Sequence, residues 1–230
     1  DGPLRPALLE GLDLVEAPET GARLAWRLGR LSRSLPVAAR LHSPSFITAA
    51  DHYGASSLHA RQLGWMERRF VRGAFAVSAP SRSVAELTAE ATGPLAAEIA
   101  VIPHPVPVPP LPERGEDSAK RVAFVGRLES LKGFDILLKA MPAVLAAHPE
   151  TVLEVVGPDP HRWFEEGLAA GVARHLPAGE VSRVARALRL HGHLAPEEAD
   201  RVRGRAAVVA VPSRYESFSF TLTEAMALGR

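Results

Sequence analysis

Short apolar runs alternate along this chain with longer stretches whose apolar residues recur every three or four positions. The short runs read as strands and the longer ones as amphipathic helices, an order that predicts parallel sheets with crossover helices. In the first half the pattern gives strands over Leu12–Ala17, Pro36–His42, Ala74–Ala79 and Glu98–Pro103, with helices over Thr20–Arg33, Ser56–Gly73 and Ser81–Ala91. It then fails: His104-Pro105-Val106-Pro107-Val108-Pro109-Pro110 and the charged stretch behind it are stiff and extended, as in an interdomain linker. Alternation restarts with strands over Arg121–Gly126, Thr151–Gly157, Leu188–Gly192 and Ala206–Pro212. The helices between and after them are Lys132–Ala147, Ala195–Arg205 and Thr221–Leu228, and the helical region Arg162–Ala187 is expected to break at Pro177-Ala178-Gly179. Two doubly wound α/β domains are expected, 1–103 and 120–230, joined by the linker 104–119. No strand follows the last helix and no glycine loop precedes the first strand, so both domains are expected to be incomplete.

Composition narrows the chemistry. A chain of 230 residues with 47% hydrophobic and 23% charged residues is long enough for two cores and excludes wholesale disorder. The absence of cysteine excludes disulfide scaffolds, thiolate metal sites and cysteine nucleophiles, and suggests the reducing cytoplasm. No apolar run is long enough to span a bilayer, and the N-terminus lacks a signal-peptide pattern. A net charge of +1 argues against a dedicated nucleic-acid binder. The charge is uneven, however: between Thr20 and Phe75 nine arginines stand against only Asp51 and Glu67. Arg23, Arg27 and Arg30 share one helical face by their spacing, which is either a solvated surface or one that attracts anionic lipid at the inner face of the membrane.

In open α/β sheets, ligands sit beyond the carboxyl ends of the strands. In the second half those positions hold Gly126-Arg127 and Lys132-Gly133 after one strand, and Ser213-Arg214-Tyr215-Glu216 followed by Glu224 after another. Arg127 and Lys132 suit a diphosphate, Glu216 and Glu224 suit sugar hydroxyls, and the start of the helix near Thr221 offers backbone N–H groups to phosphate. Together these describe a nucleotide-sugar.

The same residues carry a family resemblance. Gly126-Arg127-Leu128-Glu129-Ser130-Leu131-Lys132-Gly133 resembles the G-R-L-x-x-x-K-G element of family 4 retaining glycosyltransferases (glycosyl transferases group 1, GT-B fold). Pro212 to Ala227 is similar to their P-S-x-x-E-x-F-x-x-x-x-x-E-A-M-A element, with seven residues between Glu216 and Glu224. More weakly, Asp13 to Glu19, Arg40-Leu41-His42-Ser43-Pro44, Ala79 to Arg82 and Val101 to Val106 resemble acceptor-domain segments. The resemblance implies two Rossmann-like parallel-sheet domains facing a cleft, with donor diphosphate on Gly126, Arg127 and Lys132 and ribose on Glu224. It implies the transferred sugar on Glu216 and on Ser217, Phe218, Ser219 and Phe220, and, less firmly, the base against Gly192 and His193. His42 matches a histidine that reaches across the cleft to the reacting sugar, which with Glu216 makes it a candidate catalytic residue. The implied activity is transfer of a hexose-like unit from a nucleoside diphosphate sugar to a carbohydrate or lipid-linked acceptor, as in polysaccharide biosynthesis, with retention of configuration and no metal or other cofactor.

Plainer readings stand beside these. Thr221-Leu222-Thr223-Glu224 is also a capping-box pattern, His42 also fits a satisfied core histidine, and Arg127, Lys132 and Glu216 taken singly fit solvated surface charges. His191 and His193 alternate on a strand without a third metal ligand nearby and are taken as non-metal residues. Ser217 and Ser219 stand where many relatives carry glycine, which leaves the donor open. A sugar-nucleotide epimerase of the same fold and a non-catalytic nucleotide-sugar-binding module are the alternatives. A dehydrogenase is disfavoured, because no G-x-G-x-x-G follows a predicted strand.

Overall fold

The computed structural model describes residues 10–21, 35–48, 58–95, 98–108, 110 and 120–230. The chain divides into two compact units, Asp1–Pro105 and Val106–Arg230.

In the first unit, strands β1 (Val15–Pro18), β2 (Val37–Arg40), β3 (Ala76–Ala79) and β4 (Ala100–Val101) form a wholly parallel sheet in the order β1-β2-β3-β4. Helix α1 (Leu58–Gly73) leads into β3, and α2 (Arg82–Thr92) connects β3 to β4. Ser81 caps α2 by accepting the Val84 N–H, and Gly93 ends the helix at φ 71°, a conformation that glycine adopts at no steric cost. Among the described residues the core holds Ala39, Leu41, Val71, Val77, Ala79, Val84 and Ile99. Each strand is shorter than its apolar run predicts, and where the helix over Thr20–Arg33 is expected to start, the described residues form a 3-10 turn, Glu19–Gly21. Most of that helix, with Arg23, Arg27 and Arg30, lies outside the described residues, as does the predicted start of α1 at Ser56.

The second unit holds β5 (Arg121–Val125), β6 (Val152–Val156), β7 (Leu188–Gly192) and β8 (Val208–Val209), all parallel, in the order β7-β6-β5-β8. Its helices are α3 (Phe134–Ala147), α4 (Leu168–Ala173), α5 (Ala178–Ala187), α6 (Pro196–Arg205) and α7 (Phe220–Ala227). The predicted break near Pro177 is present, with Pro177 as the N-cap of α5. Phe124, Leu128, Phe134, Leu138, Met141, Leu153, Val155 and Leu188 pack the core, where the Phe124 and Phe134 rings meet at 4.9 Å. β8 is two residues long rather than the seven of its apolar run. It pairs only with β5, and Pro212 has no N–H to extend a ladder.

That strand order decides where a ligand goes. Winding runs from β5 through β6 to β7, then returns to the other side of β5 for β8. The reversal between β5 and β8 is a topological switch point, where the loops leaving two neighbouring strands diverge and open a crevice. The β5 loop carries Gly126 to Gly133 and the β8 loop carries Ser213 to Ser219, so both motifs read from the sequence flank this point.

Candidate active site

Around this point backbone approaches backbone too closely for a side chain at two positions. Gly133 has φ 70°, and a Cβ there would stand 1.9 Å from the Pro212 carbonyl oxygen. At Gly157, with φ 139°, a Cβ would stand 2.0 Å from the Gly126 carbonyl oxygen. Glycine is therefore required at both positions by backbone conformation and by space. At this junction Lys132 Nζ lies 2.8 Å from Glu216 Oε1, which also accepts from Ser213 Oγ at 2.7 Å. Both side chains are about a quarter exposed, Lys132 at 27% and Glu216 at 24%, so the pair is largely withdrawn from solvent. Arg127 is more open, 51% exposed, and lies 3.0 Å from Glu129.

Helix α7 begins at the same place. Its N-cap is Ser219, whose hydroxyl accepts the Leu222 N–H at 3.3 Å, so this departure from the relatives' glycine serves the helix. Thr221 does not cap: its hydroxyl donates to the Val125 carbonyl at 3.0 Å and ties the start of α7 to the end of β5. Consequently Thr221 to Glu224 is not a capping box, and Glu224 is held instead by Arg203 of α6 at 3.0 Å. Burial pushes the Glu224 carboxyl above the usual carboxylate range; Arg203 opposes that rise and Asp200 adds to it. Phe218 and Phe220 stack edge-on at 5.2 Å beside Ser217 and Ser219.

Gly192 (φ 68°) accepts the Gly157 N–H at 2.7 Å, and His193 follows it on the surface. Gly192 lines an open pocket of about 320 Å³ with Leu128, Gly157, Asp159, Arg162 and Leu190. Arg162 adopts φ 53°, rare for a residue with a Cβ, in the turn where Asp159 accepts the Phe164 N–H at 3.0 Å. His191 instead turns to Glu154 on the neighbouring strand at 2.5 Å.

In the first unit, His42 follows β2 with its side chain half exposed, so it is not a core histidine. The wholly buried Glu19 accepts the N–H groups of His42 and Ser43 at 2.9 and 2.6 Å and fixes the turn. His42 Nδ1 lies 3.2 Å from the Arg40 carbonyl, a contact in which the ring nitrogen is the donor. The His104 ring stands 5.6 Å away, and burial, with Arg40 and His42 nearby, lowers its pKa.

The structure thus brings Gly126, Lys132, Glu216 and Ser217 to Phe220 to one switch point, with Arg127 at its edge. Glu224 stands one turn into α7 and Gly192-His193 at the end of β7. Sequence reasoning missed Asp135 and Arg203, and it quoted Glu19 and Ser213 within motifs without giving them a role. Asp135 is bound through both its oxygens by Arg214, itself within a quoted motif but given no role. Only the position of Asp135 just inside a helix start, where acidic residues are favoured, could have drawn attention to it.

Comparison with known proteins identifies the family. Residues 119–230 match the family model for glycosyl transferases group 1, and residues 3–105 match that for a glycosyl transferase 4-like domain. The glycogen synthase of Mycobacterium tuberculosis is 30% identical over 199 residues, 85% of this chain and 45% of that protein. The D-inositol 3-phosphate glycosyltransferase of Segniliparus rotundus is 39% identical over 119 residues, 51% of this chain and 25% of its own length. The chain thus spans less than half the length of these curated relatives. Among solved structures, Anabaena HepE in complex with UDP and glucose superposes with TM-score 0.69 at 20% identity, over 98% of this chain and 59% of that one. The two models between them cover nearly the whole chain, and the protein belongs to the group 1 and 4-like glycosyltransferases of the GT-B fold.

Proposed function

We propose that this protein binds a nucleoside diphosphate sugar at the β5/β8 switch point and transfers its sugar, with retention of configuration and without a metal, to a carbohydrate or lipid-linked acceptor. The observation that carries the reading is the Lys132–Glu216 contact between two loops that diverge at that point. A cation and an acceptor-only carboxylate side by side suit the junction of a phosphate and a sugar.

Lys132 and Arg127, with the backbone at Gly126 and the start of α7, face the diphosphate. Glu216 and the stretch Ser217 to Phe220 face the sugar, Glu224 the ribose, and Gly192 and His193 the base. His42 acts on the reacting sugar. As the sugar–phosphate bond breaks, negative charge grows on the leaving diphosphate, so cations and helix N–H groups placed there stabilise the transition state more than the ground state. The UDP and glucose named in the HepE structure make UDP-glucose the first donor to try.

The test is a panel of UDP-, GDP- and ADP-sugars incubated with the full chain, with and without candidate oligosaccharide acceptors, followed by analysis of both products. The reading expects acceptor-dependent release of nucleoside diphosphate that Lys132→Ala lowers at saturating donor. An altered sugar nucleotide formed without acceptor would identify an epimerase, and tight binding without turnover a binding module. Turnover indifferent to Lys132→Ala would overturn the site.

A further inference from the structure

Lys132 and Glu216 stand 84 positions apart on loops from different strands, and a partly solvated ion pair adds too little to hold those loops in register. Arg214 and Asp135 join the same loops with firmer contacts. Arg214 Nη1 and Nη2 each lie 2.8 Å from a different oxygen of Asp135, a two-pronged contact with directional preference. Nη1 also donates to the Ser130 carbonyl, and the Arg214 backbone N–H donates to the Leu131 carbonyl at 2.9 Å. Asp135 is 7% exposed, and the Arg214 guanidinium holds its carboxyl below the usual carboxylate range.

The placement of these bonds is what matters. Leu131 directly precedes Lys132, Arg214 stands two residues before Glu216, and Asp135 lies in the first turn of the helix that follows the lysine loop. One guanidinium therefore grips the lysine loop before and after Lys132 while its own backbone leads to Glu216. We propose that Arg214 and Asp135 are positioning residues that set the spacing of Lys132 and Glu216 for a nucleoside diphosphate sugar, an inference that rests on the donor-site reading above. The α3 residues Phe134, Leu138 and Met141 are completely buried in the apolar core and anchor the helix there, so loss of the pair disturbs loop register before it disturbs the fold. A displacement of the order of 1 Å at a binding group is enough to lower affinity and rate sharply.

The experiment is calorimetric binding of UDP, GDP and ADP to the full chain, with the melting temperature of every variant. Asp135→Asn and Arg214→Lys are each made in the natural sequence and in a Lys132→Ala background. Arg214→Lys keeps a cation beside the buried carboxylate but cannot make the two-pronged contact, so it loosens the loops while the chain still folds. Each single variant is expected to weaken the bound nucleotide about tenfold, and to have less than about a twofold effect once Lys132 is alanine, because groups acting through one another are not additive. Equal losses in both backgrounds, or natural affinity in Arg214→Lys, overturn the positioning role and leave the donor site standing. A natural chain that binds none of the three nucleotides overturns both.

Discussion

At the scale of single residues, the site depends on charges held partly out of water. Glu224 shows this best. Burial raises its pKa, so on acidification it gains a proton at a higher pH than an ordinary carboxylate and loses acceptor capacity toward the ribose hydroxyls proposed as its partners. Nucleotide affinity is therefore predicted to fall as pH is lowered from neutral, and Glu224→Gln to abolish that slope while lowering affinity at neutral pH. Titration calorimetry at several pH values checks this; a slope that survives in Glu224→Gln assigns it to another group. Individual residues were also where the sequence was least explicit. The Glu216 to Glu224 spacing marks both acids, yet nothing in it distinguishes Ser219 from Thr221 as the cap, since both are good capping residues two positions apart. Arg203, which holds Glu224, lies on another helix, and Asp135 is 79 positions from Arg214. Contacts of that range are set by folding, and local pattern carries no trace of them.

At the scale of elements, close backbone approach is the controlling feature. Gly133 ends the lysine loop and starts α3 in a left-handed conformation against Pro212. Gly133→Ala would add about 1–2 kcal/mol of backbone strain and a clash with the Pro212 carbonyl that no side-chain motion relieves. We predict a substantially lower melting temperature together with loss of nucleotide binding. Alanine at Gly179, near the start of α5 with open space around its Cβ position, is predicted to leave both unchanged. Equal effects at the two glycines would show that the approach of the β5 and β8 loops is not what Gly133 protects. Most elements were legible because buried parallel strands and amphipathic helices have different periods, and β7 matches its apolar run from end to end. β8 was overread because an apolar run records burial and says nothing of how many partners a strand has.

At the scale of the whole molecule, the two units stand on different footing. The second is well packed, and its strand order brings the sequence motifs to one place; sequence predicted alternating βα units, but the order β7-β6-β5-β8, and hence the switch point, came from the structure. The first is a parallel sheet whose clearest candidate is His42, on a turn clamped by Glu19. Its arginine-rich face, on which any contact with anionic lipid would rest, lies outside the described residues, and no helix among the described residues is long and apolar enough to cross a membrane. The account therefore stands or falls on where a nucleotide sits in the second unit. Amide hydrogen exchange of the full chain with and without saturating UDP, GDP or ADP measures that location directly. The account predicts slower exchange over 126–133, 213–224 and 192–193; protection confined to other segments, or none with any of the three nucleotides, would contradict it.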